Sequence, residues 1–202
     1  MRLVLLIVLS CVVSSVGLAG NFILSIDGEN YDVSLGKDET IKIGDKELIV
    51  KIEQKETLTY QSDFFSFDHS NKHAPSKSTL DAGLFQTAMI TPLGALVLVQ
   101  EYSTLNPSSL VGLMINEVTK EEKQYGYEIT EEASERTLAD GTVLKGKVVF
   151  SKYKGSDIKR YLYTYGKKDA GILVMTQIDY ELAKEDEAMI NQFFKTLNVD
   201  IQ

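Results

Sequence analysis

The segment FDHSNKH, residues 67–73, contains both histidines of the chain. Zinc binds neutral imidazole nitrogens and carboxylate oxygens, so Asp68, His69 and His73 form a candidate metal site. The same three residues are the candidates for a hydrolase that uses an imidazole as its general base. Either function requires that these side chains converge with a further group from elsewhere in the chain.

The sequence around the histidines favours a loop over such a site. A spacing of four residues would place His69 and His73 on one side of a helix. The polar residues 70–72 and Pro75 are instead typical of a loop, in which that spacing fixes no geometry. Lys72 would also repel a bound cation. We therefore expect exposed loop side chains here, with the metal-binding or hydrolytic site as the alternative.

Motifs of other enzyme and cofactor classes are missing from the sequence. There is no Gly-x-Ser-x-Gly nucleophile elbow. There is also no phosphate-binding Gly-x-x-x-x-Gly-Lys and no dinucleotide-binding glycine pattern. We therefore expect no cofactor and favour a non-enzymatic function.

A row of tyrosines is the second candidate site. In the stretch KRYLYTY, residues 159–165, strand alternation places Tyr161, Tyr163 and Tyr165 on one face of a sheet. Tyrosine has an apolar body and a polar hydroxyl, so such a row suits two places. We favour packing beneath a helix, with the hydroxyls at the edge. The alternative is an exposed groove that binds a peptide, a glycan or a small molecule.

The N-terminus has the form of a signal peptide, residues 1–19. A basic residue precedes an apolar run over residues 3–13, and Gly17 and Ala19 occupy the small-residue positions before a cleavage at Gly20. The run is shorter than the roughly 20 residues of a spanning helix. We expect an extracytoplasmic protein, secreted or periplasmic, without a membrane span after cleavage; retention of the segment as an anchor is the alternative.

Cys11, the only cysteine, raises a further alternative for the N-terminus. Residues 8–11, Val-Leu-Ser-Cys, loosely resemble the lipid-attachment box of bacterial lipoproteins. The apolar segment before them is short and more signal-like sequence follows. We therefore favour removal of Cys11 with the signal over lipid anchoring.

Charge and length restrict the function of the exported protein. The 202-residue chain has a net charge of −8, and without Arg2 its 20 basic residues face 29 acidic ones, a net charge of −9. Nucleic acid and anionic membranes repel such a protein, so we expect a protein, peptide or small-molecule partner. About 180 residues suffice for one domain with a core, which an exported chain without disulfides needs.

Hydrophobic alternation and turn residues predict an α+β protein with two regions. Residues 20–56 contain hairpins around Asp27-Gly28 and Gly44-Asp45. For residues 57–202 the predicted order begins with a strand at 57–68, a loop at 71–81 and strands at 84–90 and 95–102. A helix from Asn106-Pro107, four strands between 128 and 180 and a closing helix follow. The closing helix carries an apolar stripe of Met189, Ile190, Phe193, Phe194 and Leu197. Short turns make the four strands an antiparallel meander.

Two segments carry a family resemblance. Residues 60–67, YQSDFFSF, and residues 191–197, NQFFKTL, resemble the opening strand and the closing helix of the PsbP-like family. That family includes an extrinsic photosystem subunit and a nuclear-transport factor that binds the GTPase Ran. The resemblance covers residues 57–202 and implies an antiparallel sheet sandwiched by helices, an α/β/α arrangement. It also implies a non-enzymatic binding or assembly-accessory function.

Overall fold

The computed structural model describes residues 21–201. Within them the chain forms two compact units, divided between Gln54 and Lys55. The predicted signal peptide, residues 1–19, and Cys11 lie outside the described residues. Antiparallel strands dominate and two short helices accompany them, so the protein belongs to the α+β class that its sequence predicts.

The first unit consists of two hairpins. Its strands are β1 (Asn21–Ile26), β2 (Glu29–Ser34), β3 (Asp38–Ile43) and β4 (Lys46–Lys51). β1 pairs with β2 and β3 pairs with β4, each in antiparallel orientation. Asp27 and Gly28, which connect β1 and β2, both have positive φ. This is the geometry of a type I′ turn, so the hairpin predicted from Asp-Gly is confirmed.

The second unit contains two sheets and two α-helices. Its strands are β5 (Thr57–Gln61), β6 (Phe65–Ser70), β7 (Ser76–Asp81), β8 (Leu84–Ile90), β9 (Leu96–Tyr102), β10 (Glu128–Thr137), β11 (Val143–Tyr153), β12 (Ser156–Lys167), β13 (Ala170–Asp179) and β14 (Asn198–Val199). The helices are α1 (Val111–Tyr125) and α2 (Glu187–Thr196), preceded by 3₁₀ helices at Pro107–Ser109 and Lys184–Asp186. The large sheet has the order β10-β11-β12-β13-β9-β8-β7, and the small sheet has the order β14-β6-β5. No helix within residues 21–201 is both long and apolar enough to cross a membrane.

The start of α1 follows the predicted cap with one difference. Asn106 Oδ1 accepts a hydrogen bond from the backbone N–H of Ser108 at 3.0 Å. Pro107 takes the first position, where no N–H is needed. The cap begins the 3₁₀ helix, however, and the α-helix starts only at Val111. α1 ends at Gly126, whose φ of 88° is the left-handed conformation common after helices.

The predicted single strand over residues 57–68 is wrong, because a tight turn divides it into β5 and β6. The backbone N–H of Ser62 donates to the carbonyl of Phe65 at 2.9 Å and closes this turn. Alternation gives no sign of the turn. Tyr60 pairs with Phe67 across the hairpin, and both strands keep the same pattern of inward and outward side chains.

The predicted loop over residues 71–81 is wrong in its second half, which forms β7 at the edge of the large sheet. All six side chains of β7 are exposed, so the strand has no hydrophobic alternation to reveal it. Its register with β8 shifts between Thr79 and Asp81, an irregularity common at sheet edges.

Buried side chains lie on both faces of the large sheet. Along β13, Ile172 and Val174 belong to one cluster, while Leu173 and Met175 belong to another. Because neighbouring residues of a strand point to opposite faces, the two clusters lie on opposite faces. The cluster with Ile172 and Val174, which we call the α2 cluster, also contains Phe65, Phe67, Ile190, Phe193, Phe194 and Leu197. The cluster with Leu173 and Met175, which we call the α1 cluster, also contains Val111, Ile115, Val149 and Leu162. The stripe predicted for the closing helix is therefore confirmed as core.

Candidate functional site

A cavity of about 450 Å³ lies beside the N-terminal end of α1, against β11 and β12. We call it the α1 cavity. Its lining consists of Ser108, Val111, Val143, Lys145, Gly146, Lys147, Thr164, Tyr165 and Gly166. Strand alternation places Lys147 and Thr164 on the sheet face that carries the α1 cluster, together with Val149 and Leu162.

Glycines bring the elements around the α1 cavity close together. A Cβ atom at Gly146 would overlap the carbonyl of Leu162 on the neighbouring strand. A Cβ atom at Gly171 would overlap the ring of Pro107, so glycine lets the first 3₁₀ helix approach β13. The shape of the cavity therefore depends on the absence of side chains at these positions.

The polar groups of the α1 cavity include two paired lysines. Lys147 Nζ donates to Glu131 Oε2 at 2.9 Å, and Lys145 Nζ lies 3.6 Å from Glu135 Oε1. Both carboxylates belong to β10, at the edge of the sheet. The buried hydroxyl of Thr164 donates to the backbone carbonyl of Lys145 at 3.3 Å. The cavity thus combines apolar walls with a few cationic and hydroxyl groups.

The predicted tyrosine row packs with residues of α2, the first of the two places that its sequence allows. Tyr163 is buried, and its hydroxyl lies 2.8 Å from Ser134 Oγ. Tyr161 and Tyr165 are half-buried and pack against the α2 cluster. Tyr165 also belongs to the wall of the α1 cavity, so this member of the row touches a candidate site.

Arg136 covers part of the tyrosine row. Its guanidinium carbon lies 4.0 Å from the ring centre of Phe194 and 5.4 Å from that of Tyr161. Phe194 in turn meets Tyr163 edge-on, with ring centres 5.9 Å apart. Cation–π and aromatic contacts of this kind stabilise the packed arrangement. They also occupy the ring faces that a ligand in an exposed groove would use.

The histidine segment is only in part the loop that its polar residues predict: residues 71–75 form a turn and loop, whereas residues 67–70 belong to a strand. β6 extends to Ser70 and places His69 on the same face as the buried Phe67. Only 7% of the His69 surface is exposed, and its ring meets that of Phe67 at a steep angle, with centres 6.2 Å apart. Local sequence does not reveal this burial, because the α2 residues that line the same pocket lie far along the chain.

Asp68 does not join His69 on the inner face of β6. The carboxylate oxygen Oδ1 of Asp68 accepts a hydrogen bond from Thr59 Oγ1 at 2.7 Å, across the hairpin. His73 lies in the turn after β6. In the described part of the chain, no three or more His, Cys, Asp or Glu residues are arranged to hold a metal ion. The structure therefore does not bring Asp68, His69 and His73 together as a metal-ligand set.

The two histidines do share a pocket of about 170 Å³ beside the start of α2, which we call the histidine pocket. Its lining consists of Asp68, His69, Ser70, His73, Met89, Glu185, Asp186, Ala188, Met189 and Gln192. Near this wall the hydroxyl of Tyr180 donates to Glu187 Oε1 at 2.7 Å and ties the start of α2 to the end of β13. Burial, and then this hydrogen bond, raises the pKa of Tyr180, so the hydroxyl stays protonated as a donor.

A polar cluster that sequence patterns do not predict joins the buried Ser62 and Glu101 to Lys77 on the edge strand β7. Glu101 is 2% exposed, accepts from Ser62 Oγ at 2.6 Å and lies 3.1 Å from Lys77 Nζ. Lys77 Nζ also donates to Ser62 Oγ at 2.7 Å. Ser62 Oγ thus donates to the carboxylate of Glu101 and accepts from Lys77 Nζ. The cluster fastens the β5–β6 turn to the large sheet.

A second buried charge lies beneath α1. Arg160, 3% exposed, donates to both carboxylate oxygens of Glu122, at 3.0 and 2.5 Å. Its other contacts are Gln177 Oε1 at 2.7 Å and Ser151 Oγ at 3.1 Å. A two-pronged guanidinium–carboxylate pair is among the stronger polar contacts. This ion pair anchors α1 to the sheet. The sequence alone predicts only that Arg160 lies on the strand face opposite the tyrosines.

Comparisons with known proteins give little further information. No family model matches the chain, and no curated protein matches it. Among solved structures, a crystal structure of a protein from Bacteroides thetaiotaomicron VPI-5482 is similar, with 9% sequence identity and a TM-score of 0.38. The match covers 74% of this chain and 50% of that protein, so this chain spans about half of its length. A likeness of this size assigns neither fold nor function.

Proposed function

We propose that the protein is a non-enzymatic binding or assembly-accessory protein that works outside the cytoplasm and binds its ligand in the α1 cavity. The observation that carries the proposal is the cavity itself. Its volume of about 450 Å³ falls within the range of about 300–1,000 Å³ that small-molecule sites occupy. Valine side chains and glycine backbone contribute to the walls, and a few polar groups accompany them, which is the usual composition of such sites.

The polar groups favour a ligand with acceptor oxygens. Glu131 takes one N–H of the Lys147 ammonium, which has three donors. The remaining donors suit a carboxylate or carbonyl oxygen placed over the cavity. The proposed ligand is therefore a small molecule or a short peptide segment that presents such an oxygen to Lys147.

A PsbP-like fold is part of the proposal. It is supported by the order of elements in residues 55–201: a hairpin, further strands, α1, a four-stranded meander and α2. The two side-chain clusters favour an antiparallel sheet sandwiched by helices, the α/β/α arrangement that the resemblance implies. Known members act mostly as accessory or binding proteins, which agrees with a non-enzymatic function.

The extracytoplasmic location rests on the signal-like sequence of residues 1–19. N-terminal sequencing of the exported protein is expected to begin near Gly20. A start at Met1, or a lipid on Cys11, would contradict cleavage at that position.

A second candidate function is that of an extracytoplasmic hydrolase or metal-binding protein that uses the histidine segment. The observation in its favour is that His69 and His73 line one pocket. Asp68 is already engaged by Thr59, so a metal there would need other ligands. A metal bound to the native state adds to stability. A zinc-dependent rise in the unfolding midpoint that a His69→Ala/His73→Ala double variant lacks would favour this candidate.

Protein-observed NMR tests the α1 cavity directly. The ¹⁵N-labelled mature chain is titrated with a library of small carboxylates, amides and short peptides. Bound fragments are expected to shift the backbone amides of Lys145, Lys147 and Thr164, and to saturate. A library that leaves these amides unmoved while it shifts residues elsewhere would contradict the proposed site.

A further inference from the structure

A guanidinium without a polar partner lies on the α2 side of the large sheet. Nε of Arg136, on the edge strand β10, is buried and has no hydrogen-bond partner in the described chain. The two terminal nitrogens have accessible surface, and no residue from 21 to 201 accepts a hydrogen bond from them. Arg136 also forms no ion pair with a carboxylate of these residues. The outer edge of the guanidinium, with its four N–H bonds, is therefore open to a ligand.

The other arginine within residues 21–201 shows the polar contacts that a buried guanidinium usually makes. Arg160 donates to Glu122 and to Gln177. It also donates to the hydroxyl of Ser151. A buried polar group without such partners loses its contacts with water and gains no hydrogen bond in return. The described chain meets these needs for Arg160 and leaves them unmet for Arg136.

Aromatic rings hold Arg136 in place of polar partners. Its Cζ lies 4.0 Å from the ring centre of Phe194. The ring centres of Tyr161 and Tyr163 are 5.4 and 6.0 Å away. A guanidinium that lies against a ring face keeps the N–H bonds of its edge free, because these bonds lie in its own plane. The rings therefore position the donors of Arg136 without occupying them.

The surroundings of Arg136 are positively charged although the chain is acidic. Lys159 Nζ lies 4.8 Å from the centre of the same Tyr161 ring. Lys159 also has no ion pair within the described residues. Strand alternation places Glu132 on the same face of β10 as Arg136, but four positions away, which is about 13 Å along a strand. Two cations thus lie near one ring, and no carboxylate of residues 21–201 pairs with either.

The shape and charge of this site favour a carboxylate over other anions. A carboxylate accepts two parallel hydrogen bonds from the planar edge of a guanidinium. It carries one negative charge, whereas a phosphate monoester carries about 1.5 to 2 at neutral pH. The chain has a net charge of −8, so it repels a doubly charged anion more strongly than a singly charged one.

We propose that Arg136 binds the carboxylate group of a ligand on the α2 side of the large sheet. Its two terminal nitrogens donate to the two carboxylate oxygens, and Lys159 adds to the positive potential. The carboxylate belongs either to a small free acid or to the C-terminus of a partner peptide, which share this chemistry. Neither Arg136 nor Lys159 lines the α1 cavity, so this site does not depend on the proposed function.

The test is a ¹⁵N NMR titration of the mature chain, with the Nε–H group of Arg136 as the reporter. Sodium acetate represents a free acid, and Nα-acetylglycine represents a peptide C-terminus. Acetamide has nearly the shape of acetate without its charge, and sodium chloride keeps the ionic strength constant. Either carboxylate is expected to shift Nε–H saturably, with acetamide at least tenfold weaker. The carboxylate that binds more tightly identifies the source.

Variants then assign the binding to the guanidinium, with the backbone amides of Ser134 and Phe194 as reporters. Arg136→Gln is expected to weaken carboxylate binding at least tenfold. Arg136→Lys keeps the charge but lacks the planar edge, and at least a fivefold loss is expected. The matched control is Lys154→Gln, which removes an exposed cation 4.9 Å from the ring centre of Tyr153 and should change nothing.

A smaller effect is expected for the second cation. Lys159→Gln should weaken carboxylate binding two- to threefold, because it lowers the potential without removing a donor of Arg136. The ¹⁵N spectrum of each variant reports whether it is folded. If Arg136→Gln does not fold, Arg136→Lys provides the same test of the guanidinium.

Three results would overturn the proposal. The first is that neither carboxylate shifts Arg136 Nε–H saturably; shifts confined to Lys145, Lys147 and Thr164 would then support the α1 cavity alone. The second is that acetamide binds as tightly as acetate, which would mean that charge plays no part. The third is undiminished carboxylate binding to a folded Arg136→Gln or Arg136→Lys variant.

Discussion

The two units of the protein bury their apolar side chains to very different extents. In the hairpin unit, residues 21–54, the large apolar side chains that remain exposed are Phe22, Ile23, Leu35, Leu48 and Ile49, while Val33 and Ile41 are buried. In the second unit, apolar side chains are buried on both faces of the large sheet. The same alternation predicts strands in both units. Alternation therefore indicates a strand but not how much of it is buried, which depends on a second layer of structure packed against it.

The candidate binding surfaces of the two units also differ in how firmly their strands are packed. The hairpin unit has a hollow of about 300 Å³ whose walls include the exposed Phe22 and Leu35. The α1 cavity is instead built on β11 and β12, each of which pairs with strands on both sides. A site on paired, packed strands holds its geometry more precisely than one on an isolated hairpin. This is why the proposed functions are placed in the second unit.

Removal of a large apolar side chain from each unit gives the largest expected contrast. Phe193 is fully buried and meets Phe67 edge-on, with ring centres 5.0 Å apart. Phe193→Ala is expected to lower the free energy of unfolding by about 3–5 kcal/mol in urea titration. Ile49→Ala, at a position that is 77% exposed in the hairpin unit, should change it by less than about 0.5 kcal/mol. A loss below about 1 kcal/mol for Phe193→Ala would mean that α2 does not cover the core.

Removal of one partner of an ion pair sharpens the comparison for charged residues. Glu122→Ala leaves the guanidinium of Arg160 buried without its carboxylate, so we expect a loss of about 3 kcal/mol. The matched change in the hairpin unit is Glu53→Ala, whose partner Lys51 is exposed. The urea concentration at the midpoint of unfolding should be the same for this variant as for the wild type. Equal midpoints for the two variants would contradict the role assigned to Arg160.

The smallest expected difference in stability is that between alanine variants of the two histidines, both of which lie in the second unit. His69 is buried against Phe67, so His69→Ala is expected to lower the free energy of unfolding by about 1–2 kcal/mol. His73, in the turn after β6, should tolerate alanine with a change within about 0.5 kcal/mol. Thermal unfolding in chelator measures both without interference from metal. If both substitutions prove neutral, His69 is not held in the core as described.

The sequence predicts the elements whose signals are local. The Asp27-Gly28 hairpin, the cap at Asn106 and the apolar stripe of α2 each depend on neighbouring residues and are confirmed. β7 is missed because its side chains are all exposed, and the β5–β6 turn is missed because alternation continues through it. The burial of His69 depends on contacts with elements distant in sequence, which no local pattern encodes.

The candidate sites depend even more on distant residues. The α1 cavity joins residues of the first 3₁₀ helix to β11 and β12, and Gly146 contributes to it only by lacking a side chain. The buried carboxylate of Glu101 accepts a hydrogen bond from Ser62, which lies thirty-nine positions earlier in the chain. Of the residues predicted from sequence, Tyr165 borders the α1 cavity, and His69 and His73 line the histidine pocket. Their neighbours in these cavities come from parts of the chain that the sequence alone does not bring together.

The most direct test of the proposed function is the affinity of the tightest cavity-binding fragment for two phenylalanine variants. Val143 lines the α1 cavity, so Val143→Phe fills part of it. Ile90→Phe is the matched control, because Ile90 is 65% exposed on β8, away from the cavity lining. Isothermal titration calorimetry should show at least a tenfold loss of affinity for Val143→Phe and no change for Ile90→Phe. Equal affinity of the wild type and Val143→Phe would contradict binding in the α1 cavity.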